Sequence, residues 1–160
     1  MQGIVAIIRT SLLAALLLST TATPTLAQDA DLSAAIEADW GGHLAALFEH
    51  FHRNPELSFM EVETAARMAE ELRAAGADVT ENVGGTGVVG MLRNGDGPLV
   101  MLRADMDGLP LKEDSGLAYA STATQVDADG IEYPVMHACG HDSHITALVG
   151  IARYLAANTG

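Results

Sequence analysis

The residues best suited to chemistry in this chain lie close together, at positions 137–144. Three of the six histidines, His137, His141 and His144, fall within these eight residues, together with the only cysteine, Cys139. Thiolate and imidazole are the ligands that zinc and its neighbouring transition metals take most readily. We interpret Cys139 and His141 as candidate metal ligands. The alternative is a group of surface polar side chains around a buried thiol.

The residues around these two candidate ligands favour a metal site. Gly140 permits a tight turn that lets Cys139 and His141 point the same way. A helix predicted to follow would place free N–H groups and a favourable dipole near the thiolate. Asp142 is placed either to cap that helix or to support an imidazole. The possible supporting residues of the site are His137, Asp142 and His144.

A second candidate segment contains the carboxylates of Asp105 and Asp107, which follow the apolar residues 98–102. Active-site groups of open α/β sheets usually lie at the carboxyl ends of strands, and two carboxylates spaced i, i+2 could ligate a metal or orient a ligand. The alternative is a pair of solvated loop acids with Arg103 as an ion-pair partner, and this segment alone favours that alternative. A calcium-binding EF-hand is excluded, because its twelfth position requires glutamate and the count from Asp105 reaches Gly116.

Three helices are predicted from the spacing of apolar residues. The first ends near Asn54 and carries Leu32, Ile36, Trp40, Leu44, Phe48 and Phe51. The second opens at a capping-box pattern of Ser58 and Glu61, ends near Gly76, and carries Val62, Ala65, Met68, Ala69 and Leu72. The third covers residues 145–157 and carries on one face Leu148, Ile151, Ala152 and Leu155.

Strands are predicted between the second and third helices. Residues 79–93 are β-like, and the Asn94-Gly95 pair is typical of a hairpin turn. Residues 98–102 are almost continuously apolar, which predicts a buried central strand. Residues 112–136 are rich in loops. The order of helices and strands is that of an α/β domain.

Composition excludes several classes of partner. The 160 residues are enough for one domain, and an apolar content of 49% is enough to form a core. Acidic residues outnumber basic ones 21 to 8, which gives a formal net charge of −13. This balance disfavours nucleic acid and anionic membrane as partners.

Residues 1–27 have the layout of a secretory signal peptide. Arg9 precedes an apolar run centred on residues 12–18, and the small residues Thr25 and Ala27 precede a cleavage point. The alternative is a membrane anchor, but the apolar run is shorter than the ~20 residues that span a bilayer. We therefore expect an exported protein, periplasmic or secreted, with no membrane attachment after cleavage.

Three segments carry a family resemblance. They are His52-Arg53-Asn54-Pro55-Glu56-Leu57-Ser58, Arg103-Ala104-Asp105-Met106-Asp107-Gly108-Leu109-Pro110 and His137-Ala138-Cys139-Gly140-His141-Asp142-Ser143-His144. In these segments the chain resembles the M20 metallopeptidase family, in particular its amidohydrolase branch of hippurate hydrolases and N-acyl-amino-acid deacylases. The resemblance implies that residues 28–160 form the N-terminal, incomplete portion of an α/β/α zinc-peptidase-like catalytic domain. Such a domain has a mixed sheet, and this portion would end before the lid or dimerisation domain.

The resemblance also implies a cofactor and a reaction. The cofactor is a pair of divalent metal ions, Zn, Mn, Co or Ni, with Cys139 and His141 among the ligands. Asp107 belongs to the catalytic centre as the residue that supports the metals, and Asp105 is a weaker candidate. The general base and the other ligands would lie beyond Gly160.

The implied reaction is hydrolysis of the amide bond of N-acyl amino acids or similar small amides. The implied partners are a small-molecule N-acyl amino acid or peptide substrate and, for the whole enzyme, a second copy in a homodimer. Two alternatives stay open. One is a carboxypeptidase or dipeptidase of the same superfamily, and the other is a non-catalytic metal-binding remnant.

We predict that the exported protein begins at Gln28, because the charge, the apolar run and the small residues before this position match a signal-peptidase site. N-terminal sequencing of protein recovered from the exported fraction checks this expectation. An intact Met1 in that fraction would contradict it.

Overall fold

The computed structural model describes the backbone of residues 25–159 and the side chains of residues 31–159. Most of the predicted signal peptide, residues 1–24, therefore lies outside the described residues. Within the described part of the chain, no helix is both long enough and apolar enough to cross a membrane.

Four α-helices and one π-helical turn account for the helical structure described. The helices are α1 (Thr25–Asp39), α2 (Ala45–Arg53), α3 (Val62–Ala74) and α4 (His141–Ala157), and the π-helical turn covers Trp40–Leu44. Because the π-helical turn joins α1 directly to α2, these three elements form one continuous helical run. The three helices predicted from the sequence are therefore confirmed, and the first contains a local widening of the helix.

The strands of the described residues form two short antiparallel pairs. β1 (Asp78–Val83) pairs with β2 (Gly87–Met91), and β3 (Thr124–Val126) pairs with β4 (Glu132–Pro134). The β structure predicted for residues 79–93 is confirmed. The combination of helices and strands confirms the predicted α/β class.

The hydrophobic core lies where α2, α3 and α4 meet. Its buried residues are Leu44, Leu47, Phe51, Met68, Ile145 and Val149, and Ala104, Met106 and Leu148 pack against it. Apolar burial of this kind is the main stabilising term in folding. The core thus holds together three helices and the loop that contains the Asp105–Asp107 motif.

The buried face of α4 differs from the predicted face. Ile151 and Leu155 are exposed, whereas Ile145 and Val149 are completely buried. Helix residues at i, i+4 lie on one face, and the face that contains Ile145 and Val149 is the one that meets the core. Ala152 continues that face and is buried as predicted.

Residues 98–102 do not form the predicted central strand. They have no regular secondary structure, and the side chains of Leu99 and Met101 are 81% and 84% exposed. A strand requires a hydrogen-bonded neighbour, and in the described part of the chain these residues pair with none. An apolar run shows that a segment is suited to burial, but it does not supply the partner.

Helix α3 begins later than the capping-box pattern predicted. It starts at Val62, and its cap residue Glu61 makes no side-chain hydrogen bond to the helix end. The carboxylate of Glu56 instead accepts hydrogen bonds from the backbone N–H groups of Glu63, at 3.1 Å, and Thr64, at 2.7 Å. Glu56 thereby satisfies free donors at the helix start, which leaves Ser58 exposed in the preceding turn.

We predict that Leu47→Ala lowers the free energy of unfolding by about 2–5 kcal/mol, because it opens a cavity in the core. Leu47 is 1% exposed. Ile36→Ala, in the same helical run but at an exposed side chain, is the matched control and should change it by less than ~0.5 kcal/mol. Urea unfolding followed by circular dichroism measures both. Equal effects of the two substitutions would contradict this description of the core.

Candidate metal-binding site

Backbone hydrogen bonds join the two candidate segments. The N–H of Leu109 donates to the carbonyl of Met136 at 2.8 Å, and the N–H of Met136 donates to the carbonyl of Leu109 at 3.1 Å. The N–H of Gly108 donates to the carbonyl of Glu56 at 2.6 Å. Because Asp107 directly precedes Gly108 and His137 directly follows Met136, this pairing brings the acidic motif beside the histidine-rich segment.

Gly108 is a point at which neighbouring segments of the chain pack closely. It is buried, and a Cβ at this position would lie 2.8 Å from Cγ1 of Val135 and 2.9 Å from Cβ of Pro55. Contacts that short do not occur without a shift of the neighbours, so the absence of a side chain allows the approach.

The imidazole of His141 is held by Asp107. Its Nδ1 lies 2.9 Å from the backbone carbonyl oxygen of Asp107 and 3.0 Å from the Oδ1 atom of the same residue. Both oxygens accept hydrogen bonds, so Nδ1 carries the proton, and in a neutral ring Nε2 then holds the lone pair. This is the arrangement found in metal-binding histidines, in which the second nitrogen is fixed by a hydrogen bond.

Cys139 lies two residues before His141 in the turn that precedes α4. Its side chain is exposed and is not in a disulfide. Gly140 has a left-handed backbone, with φ of 75°, as the tight turn predicted for this position requires. The thiol therefore stands at the start of α4, where the helix dipole favours an anion.

Asp105 takes no part in this arrangement. Its carboxylate pairs with Arg103 in a solvent-exposed ion pair, which is the alternative considered for a loop acid. The structure therefore distinguishes the two acids of the motif, because Asp107 contacts a histidine and Asp105 contacts Arg103.

The other two histidines of the segment differ in environment. His144 is exposed, and the centre of its ring lies 5.6 Å from that of His141. His137 is buried, and neither of its ring nitrogens has a hydrogen-bond partner in the described residues. Burial is the main reason that the pKa of His137 lies below its ordinary value, so this ring favours the neutral form.

Asp142 was predicted either to cap α4 or to support an imidazole. It does contact an imidazole, and this ring belongs to His52. Oδ2 of Asp142 lies 2.6 Å from Nδ1 of His52, and Oε1 of Glu113 lies 3.1 Å from Nε2 of the same ring. The side chains of Asp142 and Glu113 are only 4% and 1% exposed. We call these three residues the His52 triad.

A doubly protonated His52 ring can donate a hydrogen bond to each of the two buried carboxylates. A carboxylate only accepts hydrogen bonds, so both contacts are hydrogen bonds only when both ring nitrogens carry a proton. Burial lowers the pKa of His52, but the hydrogen bonds and charges of Asp142 and Glu113 outweigh it and raise the pKa above its ordinary value. Burial raises the pKa of Glu113, but hydrogen bonds from Ser115, Ser121 and His52 outweigh it and lower the pKa.

The donor types present suit a transition metal, although they do not make a complete set. Cys139 offers a thiolate and His141 an imidazole with a free nitrogen, and both are common zinc ligands. In the part of the chain that the structure describes, no group of three or more His, Cys, Asp or Glu side chains is arranged to hold a metal ion. A working zinc site uses at least three protein ligands, so these residues fit a part of such a site.

Sequence comparison identifies relatives of this chain. Residues 101–159 match Peptidase family M20/M25/M40. A hippurate hydrolase from Campylobacter jejuni is 44% identical over 119 residues, which cover 74% of this chain and 29% of that protein. Thermostable carboxypeptidase 2 from Saccharolobus solfataricus is 43% identical over 122 residues, which cover 75% of this chain and 28% of that protein.

The fold has a similar counterpart among solved structures. A dinuclear metal-binding peptidase of the M20 family from Bacillus subtilis aligns with a TM-score of 0.65 and 31% identity. The alignment covers 80% of this chain and 33% of that one.

The α/β fold and the paired acidic and Cys-Gly-His segments thus resemble those of the metallopeptidase class. The match of residues 101–159 to peptidase family M20 agrees with the resemblance that the three motifs predicted. It spans about 29% of the hippurate hydrolase and 28% of the carboxypeptidase that it matches.

Two residues of the site were not predicted from the sequence. His52 lies in the first of the three family segments, and Glu113 lies in the loop that follows the acidic motif. His52 lies 61 positions before Glu113, and Glu113 lies 29 positions before Asp142. No local spacing in the sequence therefore connects these three residues. The signal that could have found His52 is its place in a segment that already carried the family resemblance.

We predict that His52→Gln destabilises the fold by about 1.5–3 kcal/mol, the range for hydrogen bonds to charged groups, and that the loss depends on pH. Since the pKa of His52 is raised in the folded state, its contribution is fully present below its ordinary pKa of 6.5 and is lost as the pH rises through the folded pKa. Urea unfolding across this range measures the difference between the two proteins. Leu47→Ala is the control, because an apolar truncation should show a pH-independent loss.

Proposed function

We propose that this chain provides the Cys139- and His141-containing part of the metal centre of an amidohydrolase. The enzyme would hydrolyse the amide bond of N-acyl amino acids or similar small amides. The observation that carries the proposal is the hydrogen bonding of His141 Nδ1 to Asp107, because it leaves Nε2 available beside an exposed thiol.

The proposed cofactor is a pair of divalent metal ions, of Zn, Mn, Co or Ni. Support comes from the Bacillus subtilis relative, whose description is a dinuclear metal-binding peptidase. When bound, such ions polarise an amide carbonyl and lower the pKa of water. We assign Cys139 and His141 as ligands, and we assign Asp107 as the residue that supports them.

The roles of the individual residues follow from their contacts. Asp107 holds the proton on Nδ1 of His141, which fixes the tautomer and the direction of the ring. Cys139 would supply a sulfur ligand from the turn that precedes α4. Asp142, His137 and His144 would support this arrangement from the same segment.

A carboxypeptidase acting on peptides is the second candidate function. It is favoured by the 43% identity to thermostable carboxypeptidase 2, whereas the 44% identity to a hippurate hydrolase favours N-acyl amino acids. Both reactions hydrolyse an amide bond with the same kind of metal centre. A non-catalytic metal-binding protein is the third candidate.

We further propose that residues 28–160 form the N-terminal portion of the M20 catalytic domain, that the protein is exported to the periplasm or secreted, and that the whole enzyme forms a homodimer. Export is supported by the signal-peptide pattern of residues 1–27. The single cysteine, Cys139, can form no internal disulfide, and a lone thiol in an oxidising compartment is accounted for if it binds a metal.

We predict that Asp107→Asn weakens Co²⁺ binding about 10–100-fold, the usual effect of removing a residue that supports a metal ligand. Asp105→Asn is the matched control and should leave binding unchanged, because its carboxylate pairs with Arg103 in solvent. Cys139→Ser should remove the thiolate-to-cobalt absorption band. Titration of a purified protein that contains residues 28–160 with Co²⁺, followed by absorption spectroscopy, measures all three. A band that survives in Cys139→Ser would exclude Cys139 as a ligand.

Activity assays separate the candidate reactions. A purified protein that contains this chain is assayed for release of amino acids from benzoyl- and acetyl-amino acids and from peptides, with and without a chelator. We expect chelator-sensitive release from the N-acyl amino acids. Release from peptides alone would favour a carboxypeptidase, and metal binding without turnover of either substrate class would favour the non-catalytic alternative.

A further inference from the structure

The His52 triad joins three separate segments at the start of α4. His52 is near the end of α2, Glu113 lies in the loop after the acidic motif, and Asp142 is in the first turn of α4. The carboxylates are buried on both sides of the ring. Burial of ionised carboxylates costs several kcal/mol per ion before their partners compensate, so fold stability alone is a weak explanation for this arrangement.

Both oxygens of Asp142 are used, which fixes the orientation of the residue. Oδ2 lies 2.6 Å from the His52 ring, and Oδ1 accepts the backbone N–H of Ser143 at 2.8 Å. Asp142 is covalently adjacent to His141. A side chain anchored at both oxygens therefore restricts the backbone that carries the His141 ring.

The other members of the triad are held just as firmly. Oε2 of Glu113 accepts the backbone N–H of Ser121 at 2.6 Å. The ring of His52 packs against Tyr119, with 5.1 Å between ring centres, and against Phe48, with 5.6 Å. Neither ring nitrogen of His52 is left to bind a ligand, so the ring is suited to orient other groups.

We propose that His52 and Glu113 are positioning residues for the metal-binding segment: through Asp142 they hold the first turn of α4 so that His141 keeps its hydrogen bond to Asp107. This inference rests on the proposed function for its role in metal binding. It assigns a positioning task to Glu113 and to His52, which lies 55 residues before Asp107 and 89 residues before His141 in the chain.

A second histidine–carboxylate pair provides a matched comparison. His43 lies 2.7 Å from the buried Glu71, in the same helical run as His52. That pair joins the run to α3 and does not involve α4. Loss of His43 should therefore weaken the fold without altering His141.

The test uses a purified protein that contains residues 28–160, its His52→Ala, His52→Asn and Glu113→Gln variants, and His43→Ala as the control. The first measurement is the tautomer of the His141 ring in the metal-free protein, from long-range ¹H–¹⁵N correlation spectra at pH values where the same spectra show His52 protonated on both ring nitrogens. The second is the Co²⁺ dissociation constant, from the thiolate-to-cobalt band. Thermal unfolding monitors the fold of every variant.

We expect His141 to carry its proton on Nδ1 in the unchanged chain and to show a mixture of tautomers in His52→Ala. The Co²⁺ dissociation constant of that variant should rise about 10–100-fold. His52→Asn, which keeps one N–H donor toward Asp142, should recover part of both losses. His43→Ala should lower the unfolding temperature and leave both measurements unchanged.

Two results would overturn the positioning role. One is an unchanged His141 tautomer in the folded His52 variants, and the other is an equal change in His43→Ala, which would show a general loss of stability. If His52→Ala does not fold, Glu113→Gln, which preserves side-chain volume, decides the same question by the same spectra. Failure of the unchanged chain to bind Co²⁺ would refute the proposed metal site, while the tautomer comparison would still decide the positioning role.

Discussion

The backbone hydrogen bonds of Gly108 to Glu56 and of Leu109 to Met136 are the constraint on which the rest of the site depends. Through them the acidic motif reaches the carbonyls of Glu56 and Met136. Glu56 belongs to the first of the segments that carry the family resemblance, and Met136 directly precedes the third. Backbone hydrogen bonds between buried segments are seldom left unmade, because an unpaired buried group is costly. One glycine without a side chain allows all three segments to meet.

The core and the site are connected by this same loop. Ala104 and Met106 pack against the buried residues of the helices, and Asp107 then points its carboxylate at His141. On the other side, α4 places Ile145 and Val149 in the core. The candidate ligands are thus positioned by apolar packing from both directions, which is how rigid elements support a site formed largely on loops.

Electrostatic interactions within the fold divide into two kinds. Asp39 and Arg153 form a half-buried ion pair with hydrogen bonds of 2.7 to 3.1 Å, which joins α1 to α4. The His52 triad is buried and lies next to the candidate metal-binding segment. A buried charge network with complete hydrogen bonding specifies one arrangement of its residues.

The sequence alone determined the α/β class, the positions of the helices and of the β1–β2 region, the resemblance to peptidase family M20, and the candidates Cys139 and His141. These depend on local spacing and on residue chemistry, which can be recognised without a fold. The tertiary structure alone decided which acid of the motif reaches a histidine and which face of α4 is buried. It also decided that residues 98–102 have no strand partner within the described residues and that His52 joins Asp142 to Glu113. Each of these depends on contacts between residues far apart in the chain, and local patterns carry no information about which distant partner a side chain or strand will meet.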